Sequence, residues 1–494
     1  MRMIDYIAEQ TAKYIEQMPK ADRKKYGQFF TSREVAGFMA SLFDVPADIK
    51  NITILDPGAG SGILSVSLIE RLQQVGNIES VDITCYENDA NVIPLLKSNL
   101  EWIKQNASII VNYCIVSDNY ILTQEYEYNF MHDAYDLKKY DMVIGNPPYM
   151  KFPKDAPEVK AMQDVCYGAP NIYFLFASMS LFNLRNDGEM VYIIPRSWTS
   201  GAYFKRFRQK FLTEGALEHI HLFVSRDKVF EKESVLQETI IIKVKKTMEK
   251  PEKVTVTSTN TNRDFSEITY FTAPYSTIVS GDDMYVYLVT NQQETSVLER
   301  LNRLDNTLPD IGLRMKTGLT VDFRNWDVLR NTETKGAVPL FYAQHIRHGN
   351  IVFPIGKEHE YILTEQQSLL QPNENYLFVK RFTSKEEPRR FQCGVYLSKL
   401  FAKYKYISTQ NKINFISGTK QLSECVVYGL YVLFNSSLYD RYYRILNGST
   451  QVNSTEVNSM PVPALSVIEE MGNKLMDEKD MSVEMCDTIL GCYV

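Results

Sequence analysis

A short apolar run at residues 142–144, followed by Asn-Pro-Pro-Tyr at 146–149, is the segment with the clearest chemical content. The apolar run predicts a buried β-strand, and the two prolines end it because proline cannot donate to a strand ladder. Open α/β sheets bind ligands at the carboxyl ends of their parallel strands. This strand end would offer three groups: the side-chain oxygen of Asn146, the carbonyl of Pro147 and the aromatic face of Tyr149.

These three groups suit a planar substrate that carries an exocyclic amino group. The Asn146 oxygen and the Pro147 carbonyl can each accept one N–H, while Tyr149 stacks on the ring. Two acceptors on one amine keep its lone pair out of the ring system, so the nitrogen stays available for attack. The alternative is an ordinary turn that happens to have this sequence.

A second candidate site follows the strand predicted at residues 52–56, where a glycine-rich sequence leads into an apolar helix. Gly58, Gly60 and Gly62 would let the backbone approach a ligand closely. No Gly-Lys-Ser/Thr is present, which argues against a triphosphate. Asp56 at the strand end suits a cationic ligand or its ammonium group. The alternative is a glycine-rich turn of an ordinary α/β domain.

Two acids follow the next two predicted strands. Residues 81–86 predict the second strand, and Glu87 after it is placed to accept both hydroxyls of a ribose. Residues 108–116 predict the third strand, which is followed by Asp118. Strands continue to alternate with helices to about residue 250, and this alternation predicts a doubly wound parallel sheet.

The order of these segments resembles the γ class of DNA methyltransferases, the TaqI- and PstI-like N6-adenine enzymes of type II restriction–modification systems. The resemblance rests on Gly-Gln-Phe-Phe-Thr-Ser at 27–32, Asp-Pro-Gly-Ala-Gly-Ser-Gly at 56–62 and Asn-Pro-Pro-Tyr at 146–149. It is strong over about residues 26–246 and weaker beyond. It implies a Rossmann-like, seven-stranded α/β sheet that binds S-adenosylmethionine (SAM), with a C-terminal mixed α/β target-recognition domain.

The resemblance also assigns residues to SAM. They are Tyr26, Gln28, Phe29, Thr31, Asp56, Gly58, Gly60, Gly62, Glu87, Asp118 and Phe176. Asp118 would accept from the adenine amino group of SAM, but Asn119 stands where the TaqI-type pattern has an aromatic, and Tyr120 is a possible substitute. Phe176 matches the aromatic helix beside that adenine, although a core aromatic would look the same. Thr31 or Ser32 would also cap the helix that follows.

The resemblance implies that Asn146, Pro147 and Tyr149 are catalytic. The target adenine would leave the DNA stack, and Tyr149 and Phe230 would stack on its two faces. Without the family, Phe230 is simply a loop aromatic. Transfer would be a direct displacement, and the chain has no Pro-Cys nucleophile of the cytosine-C5 kind.

The formal net charge of −6 excludes a protein that coats nucleic acid non-specifically, so DNA binding requires a local basic surface. Residues 375–420 carry ten Lys or Arg against two Glu, with interleaved aromatics, which is typical of a duplex-DNA contact. The helix predicted at 196–212 is also cationic and could contact phosphates, although a solvated face is the commoner explanation. The candidate DNA-binding residues are Arg196, Lys205, Lys380, Arg381, Arg389 and Arg390.

The 494 residues predict two domains and a short extension. Residues 1–250 would form the catalytic domain, with an N-terminal helix within 1–25. Residues 251–465 would form the recognition domain, and residues 466–494 a helical tail. The sequences at 448–453 and 460–463 resemble the closing segment of the recognition domains of this family.

The scattered cysteines and histidines show no metal-binding spacing, so we expect free thiols and no metal site. No apolar run of 18 residues occurs and the chain starts with polar residues, which predicts a cytoplasmic protein without a membrane anchor.

We therefore expect a SAM-dependent, site-specific DNA adenine-N6 methyltransferase that acts on double-stranded DNA. Its partner would be a separately encoded restriction endonuclease that shares the site without forming a stable complex. Three alternatives remain: an N4-cytosine DNA methyltransferase, a glutamine methyltransferase of release factors, and an inactive SAM- or DNA-binding module. The second is disfavoured because such chains are much shorter and lack a basic C-terminal domain.

Overall fold

The chain folds into two compact units that divide after Thr290. The computed structural model describes residues 2–17, 19, 30–75, 77–130, 139–168, 170–223, 239–383, 387–447 and 450–494. Among the helices of these residues, none combines the length and the apolar character needed to cross a bilayer.

The first unit is built on one large sheet. Its strands are β1 (Asn51–Pro57), β2 (Ser80–Tyr86), β3 (Ile110–Val116), β4 (Tyr140–Gly145), β5 (Leu184–Pro195), β6 (Ala216–Phe223), β7 (Thr239–Lys245), β8 (Lys253–Thr259) and β9 (Thr269–Pro274), with a small pair β10 (Val279–Ser280) and β11 (Tyr285–Val286). Its helices are α1 (Met3–Gln17), α2 (Arg33–Ser41), α3 (Ile63–Val75), α4 (Ile93–Asn106), α5 (Glu125–Phe130), α6 (Pro157–Ala161), α7 (Ile172–Asn183), α8 (Lys205–Glu214) and α9 (Tyr275–Ile278).

Within the described residues the large sheet has nine strands in the order β3-β2-β1-β4-β5-β7-β6-β8-β9. Strands β1 to β5 run parallel, and β7 is antiparallel to both β5 and β6. The first seven strands of this order form the expected Rossmann-like methyltransferase sheet, and β8 and β9 extend it at one edge. The fold class predicted from the sequence is therefore confirmed.

The sheet is covered on both faces. Helices α1 to α4 pack with β1, β2 and alternate residues of β5, including Val191 and Ile193, in one apolar core. Tyr192 points to the other face because side chains alternate along a strand. There it meets α7, whose described residues are buried along its whole length, and its hydroxyl lies 2.5 Å from Ser180 Oγ.

The predicted boundary at residue 250 is wrong. Strand β8 pairs in parallel with β6, and β9 pairs with β8, so residues 253–274 belong to the first sheet. The division of the chain falls later, after Thr290. An alternating Thr/Val sequence does not reveal which sheet a strand will join, because strand pairing is a long-range property.

The second unit contains two further sheets. Its strands are β12 (Leu313–Thr317), β13 (Leu329–Arg330), β14 (Val338–Phe341), β15 (Ile346–Arg347), β16 (Gly349–Ile351), β17 (Tyr361–Ile362), β18 (Gln371–Pro372), β19 (Tyr376–Lys380), β20 (Cys393–Tyr396), β21 (Tyr406–Thr409) and β22 (Ile413–Gly418). They form the sheets β12-β22-β19-β20-β16-β15 and β13-β17-β14-β21-β18. The mixed α/β character expected of the C-terminal region is confirmed.

The helices of the second unit include the predicted C-terminal ones. They are α10 (Gln292–Leu301), α11 (Glu424–Asn435), α12 (Ser437–Leu446), α13 (Ser454–Asn458), α14 (Leu465–Glu478) and α15 (Val483–Leu490). Helices α14 and α15 are part of this compact unit and not a separate tail. A Cβ atom at Gly429 of α11 would collide with the carbonyl of Ile468, and one at Gly472 of α14 with the carbonyl of Cys425. These two glycines therefore set the close approach of the helices.

Candidate active site

The strand order of the first unit reverses between β1 and β4, which are direct neighbours with Leu55 opposite Val143. Loops that leave the two strands at this point diverge and open a crevice, which is where doubly wound sheets bind ligands. A cavity of about 240 Å³ lies there. It is lined by Phe30, Gly58, Gly60, Tyr86, Glu87, Asn88, Asp118, Asn119, Tyr120, Asn146, Pro148, Met150, Phe152, Glu158, Ile172 and Phe176, and we call it the switch-point cavity.

The glycine-rich loop after β1 forms one wall of this cavity. Gly58 and Gly60 have φ angles of 78° and 56°, in the left-handed region that glycine adopts without strain. The N–H groups of Gly58 and Ala59 both donate to the carbonyl of Tyr86, at 2.8 and 2.9 Å, and so fix the loop against β2. A Cβ atom at Gly58 would lie 3.7 Å from Phe176, and one at Gly60 would lie 3.6 Å from Phe30. These are ordinary contact distances, so the absence of both Cβ atoms leaves this part of the cavity open to a ligand.

Glu87 follows β2 and lies on the wall of the cavity. Its Oε2 accepts from the N–H of Gly60 at 2.9 Å, and its Oε1 accepts from the N–H of Asp89 at 2.8 Å. Burial raises the pKa of Glu87, whereas these backbone hydrogen bonds lower it. Each carboxylate oxygen has a second lone pair, so both can still accept from a ligand hydroxyl.

Asp56 does not line the cavity but lies fully buried beneath the glycine loop. Its Oδ2 accepts from Ser65 Oγ at 2.6 Å, and its Oδ1 has no hydrogen-bond partner among the described residues. Burial raises the pKa of Asp56 to about 7, and the nearby charge of Glu87 acts in the same direction. This placement favours a supporting role for Asp56 over direct contact with a ligand.

An exposed acid and two aromatic rings form another part of the wall. Asp118 is exposed after β3. Tyr120 is buried, its ring lies 5.0 Å from that of Phe176, and its hydroxyl donates to Asn183 Oδ1 at 2.7 Å. The substitute suggested for the missing aromatic is therefore on the wall. Asn119 is there too, and its Nδ2 donates to Glu158 Oε1 at 2.8 Å.

Asn146 stands at the end of β4 with its amide held from two sides. Its Nδ2 donates to Thr31 Oγ1 at 3.0 Å, and its Oδ1 accepts from the hydroxyl of Tyr149 at 2.7 Å. The same hydroxyl lies 3.0 Å from the carbonyl of Ile193 on β5. These contacts fix the orientation of the amide, with the nitrogen toward Thr31 and the oxygen toward Tyr149.

The structure brings part of the predicted cofactor set together. Gly58, Gly60, Glu87, Asp118 and Phe176 line one cavity with Asn146. Thr31 is placed behind Asn146, while Ser32 caps α2 by accepting from Val35 N–H at 3.3 Å. Gly62 lies against α4, since a Cβ atom there would lie 3.1 Å from Leu96, and its contact with SAM stays a prediction. The predicted residues Tyr26, Gln28, Phe29 and Phe230 lie outside the described residues.

Several wall residues were not singled out from the sequence. They include Phe30, Tyr86, Asn88, Met150, Phe152, Glu158 and Ile172. Phe30 belongs to the same Phe-Phe pair as the predicted Phe29, so the motif signalled the position to within one residue. Met150 and Phe152 follow the Asn-Pro-Pro-Tyr motif directly, where proximity to that motif was the available signal.

The basic residues proposed for DNA contact have different environments. The expectation for Arg390 is wrong, because its side chain is fully buried and its guanidinium donates to the carbonyl of Asn447 at 3.2 Å. Arg389 donates to the carbonyls of Asn435 and Ser436 at the end of α11, at 2.5 and 2.9 Å, which is a helix-capping role.

The remaining basic candidates keep some exposure. Lys205 is about half exposed and pairs with Asp283 Oδ1 at 2.5 Å, and Lys380 donates to Gln392 Oε1 at 2.7 Å. Arg381 donates to the carbonyl of Asn411 at 3.1 Å. Arg196 begins a 3-10 turn directly after β5. Contact of these four residues with DNA stays a prediction.

Comparison with known proteins places this architecture in a family. Residues 76–230 match the family described as Eco57I restriction-modification methylase. The chain is 33% identical over 467 residues to the type II methyltransferase M.BsuBI of Bacillus subtilis, which covers 92% of this chain and 91% of that protein. It is 34% identical over 463 residues to the type II methyltransferase M.PstI of Providencia stuartii, with coverage of 92% and 90%.

Solved structures share the fold over nearly the whole chain at low identity. The type IIL restriction-modification enzyme MmeI in complex with DNA superimposes with a TM-score of 0.54 at 11% identity, covering 98% of this chain and 70% of MmeI. The DrdV–DNA complex gives a TM-score of 0.52 at 12% identity, covering 96% of this chain and 59% of that one.

The switch-point cavity fits the cofactor that this fold binds. The glycine cradle at Gly58 and Gly60 admits a ligand close to the backbone, Glu87 and Asp118 offer acceptors, and Phe176 offers a ring face. The cofactor is S-adenosylmethionine. With one-third identity over nine-tenths of both chains, the protein belongs to the family of type II methyltransferases that includes M.BsuBI and M.PstI.

Proposed function

We propose that this protein methylates the N6 atom of adenine at a specific site in duplex DNA, as the modification enzyme of a restriction–modification system. One observation carries the proposal: Asn146 lies on the wall of the same cavity as Gly58, Gly60 and Glu87. An amine acceptor and a SAM-type site thus share one space of about 240 Å³. The relatives M.BsuBI and M.PstI and the DNA complexes of MmeI and DrdV support the choice of DNA as substrate.

The task of Asn146 follows from how its amide is held. Because Thr31 accepts from Nδ2, the amide is oriented with Oδ1 as its acceptor atom, and this oxygen would receive an N–H of the amine. The Pro147 carbonyl would take the other N–H of the amine. SAM, when bound, supplies an electrophilic methyl group. The protein's part is to hold the amine nitrogen with its lone pair directed toward that group, in a site that excludes water.

Adenine within a duplex cannot reach this site, so the base must leave the stack. Tyr149 is proposed to stack on one face of the extruded base. In the structure its ring packs edge-on against Tyr173, with centroids 6.3 Å apart at 86°, and its hydroxyl is held by Asn146 and Ile193. This network fixes the plane of the ring before a base arrives. Phe230 remains the proposed partner on the opposite face.

Adenine is proposed over cytosine because the order of the motifs and the Asn at position 146 follow the γ class of N6-adenine enzymes. A cytosine N4 amine would present similar hydrogen-bond geometry and is the second candidate. We further propose that the enzyme acts in the cytoplasm beside a separately encoded endonuclease that recognises the same site.

The proposal is tested by sequencing DNA from an expression host with a method that distinguishes N6-methyladenine from N4-methylcytosine. We expect N6-methyladenine at one sequence motif in cells that express the wild-type chain, and none in cells that express Asn146→Ala. N4-methylcytosine at one motif would establish the second candidate. If the DNA is unmodified although the protein is folded and binds SAM, the protein is an inactive SAM-binding module and the proposal is wrong.

A further inference from the structure

The second unit gathers several separate loops at one place. The N–H of Asn411 donates to the carbonyl of Thr320 at 2.8 Å, which joins the loop after β12 to the loop between β21 and β22. The N–H of Arg381, at the end of β19, donates to the carbonyl of Lys412 at 2.9 Å. Residues far apart in the chain therefore share one surface.

Two large aromatic side chains stand exposed in this cluster. Phe323 is 69% exposed and Trp326 is 58% exposed. The ring of Trp326 lies edge-on to that of His359, with centroids 4.9 Å apart at 81°, so a third loop holds it in place. A single exposed apolar side chain is ordinary, but two of them three residues apart in an ordered turn indicate a contact surface.

Four cations lie in these joined loops or at their ends: Arg324, whose guanidinium carbon is 5.4 Å from the centroid of the Phe323 ring, and Lys357, Arg381 and Lys412. None of the four forms an ion pair with any residue that the structure describes. Other lysines of the same unit differ, since Lys399 pairs with Glu424 at 2.6 Å and Lys403 with Glu333 at 2.8 Å. Three acids lie in the same loops, Asp322, Asp327 and Glu358, so four cations face three acids and the cluster carries an excess of one positive charge.

A half-buried acid, Asp322, lies in the same loops. Burial raises the pKa of Asp322, whereas the charges of Lys357 and Lys412 lower it. Asp327 and Glu358 are exposed in the same loops. In a DNA groove, such carboxylates accept hydrogen bonds from the cytosine N4 amino group.

We propose that Phe323, Arg324, Trp326, Lys357, Arg381 and Lys412 form a docking surface for duplex DNA, which we call the loop-end surface. The cations contact phosphates, and the two aromatic rings contact bases or sugars in a groove. Duplex DNA fits because it offers regularly spaced negative charge beside apolar base edges. This inference rests on the proposed function and assigns the DNA contact mainly to loops that the sequence did not single out.

The first test uses Trp326 as an internal probe. Of the three tryptophans, Trp198 is fully buried and Trp102 stacks on Tyr6 with ring centroids 4.0 Å apart. Adding a duplex of about three helical turns to the full-length protein should change the tryptophan emission. The bound duplex should also protect Trp326 from quenching by acrylamide. In Trp326→Phe the change should disappear while DNA binding persists. Unchanged emission of the wild-type protein at saturating DNA would overturn the proposal.

The second test compares two lysine pairs. Lys357→Ala/Lys412→Ala should weaken binding and lower the slope of log affinity against log salt by about two, one for each lost phosphate contact. The control Lys399→Ala/Lys403→Ala removes the same charge from ion-paired positions and should leave the slope unchanged. Phe323→Ala/Trp326→Ala should cost at least about tenfold in affinity. If the two double lysine variants lose the same amount of DNA affinity, the proposal is wrong. It is also wrong if Phe323→Ala/Trp326→Ala binds DNA with wild-type affinity.

Failure of this inference is distinguishable from failure of the proposed function. Wild-type protein that incorporates methyl groups into DNA, together with loop-end variants that bind and methylate like wild type, would reject the surface alone. Wild-type protein that neither binds nor methylates DNA would reject the proposed function itself. Circular dichroism of each variant shows whether it is folded before either conclusion is drawn.

Discussion

At the scale of single residues, the site depends on the fixed amide of Asn146. Asn146→Ala removes the acceptor at the cavity wall and leaves Gly58, Gly60 and Glu87 in place. We expect methyl transfer to be lost by at least about a hundredfold, since an acceptor of the reacting amine is worth several kcal/mol in the transition state. SAM binding, measured by equilibrium dialysis, should be nearly unchanged. Loss of SAM binding in a folded variant would instead place Asn146 in the cofactor site.

Thr31 provides a separate prediction, because its hydroxyl orients the amide of Asn146 without lying on the cavity wall. Thr31→Val keeps the shape and removes the acceptor, so the turnover number should fall by about tenfold, the usual worth of one hydrogen bond. Thr31→Ser keeps the hydroxyl and should retain most of the turnover. If the dissociation constant of SAM rises in Thr31→Val while turnover at saturation is kept, Thr31 contacts the cofactor, as the sequence predicted.

Asp56 predicts a pH dependence of stability. Its pKa is raised from the ordinary 3.8 to about 7, so between these values the folded state holds a proton that the unfolded state has released. The free energy of unfolding should therefore decrease as the pH rises through this window, by a few kcal/mol at most. Asp56→Asn mimics the protonated form and should flatten the dependence in denaturant titrations without SAM. An equally steep dependence in that variant would assign it to another group.

At the scale of elements, the end of β4 is positioned by close packing on β5. A Cβ atom at Gly145 would lie 2.8 Å from the ring of Tyr192, which is buried and bonded to Ser180. Gly145→Ala should displace the strand end that carries Asn146, destabilise the protein by about 1–3 kcal/mol and reduce turnover. Gly37→Ala in α2 is the matched control, since a Cβ atom there meets nothing within 4 Å. Similar melting temperatures and turnover for the two variants would show that β5 adjusts easily.

The sequence predicted the elements of the first unit better than it predicted the side-chain networks. Apolar runs ended by Asp56, Glu87 and Pro147 mark buried strands directly, so β1, β2 and β4 were placed within a residue or two. The bond between Thr31 and Asn146 joins residues 115 positions apart, and local patterns carry no information about such a contact.

The basic segment of the second unit shows a different limit of prediction. Composition reports how much positive charge the segment carries, but not which way each side chain points. Arg390 is buried and donates to a backbone carbonyl, whereas Lys412 of the same segment is exposed. Arg324 is also exposed, although it lies well before the segment. Burial depends on the pairing of strands that are distant in sequence, so the charged face becomes visible only in the fold.

At the scale of the whole molecule, the cavity residues all belong to the unit that ends at Thr290. Binding to a native unit stabilises it by mass action, by about 2.7 kcal/mol at a ligand concentration of one hundred times Kd. In calorimetry, SAM should therefore raise the melting temperature of one transition and leave the second unchanged. Glu87→Ala should reduce that shift by weakening SAM binding. A single transition that moves as a whole would show that the two units unfold together.

The division of the chain also has an evolutionary consequence. Each unit is continuous in sequence, so the backbone passes from one to the other once, between Thr290 and Asn291. A single recombination event in the gene, near the codons for Thr290 and Asn291, would exchange the entire second unit between two relatives. The coding sequence of every cavity residue would stay unchanged. If the second unit selects the DNA site, such an exchange would change the modification pattern in one genetic step.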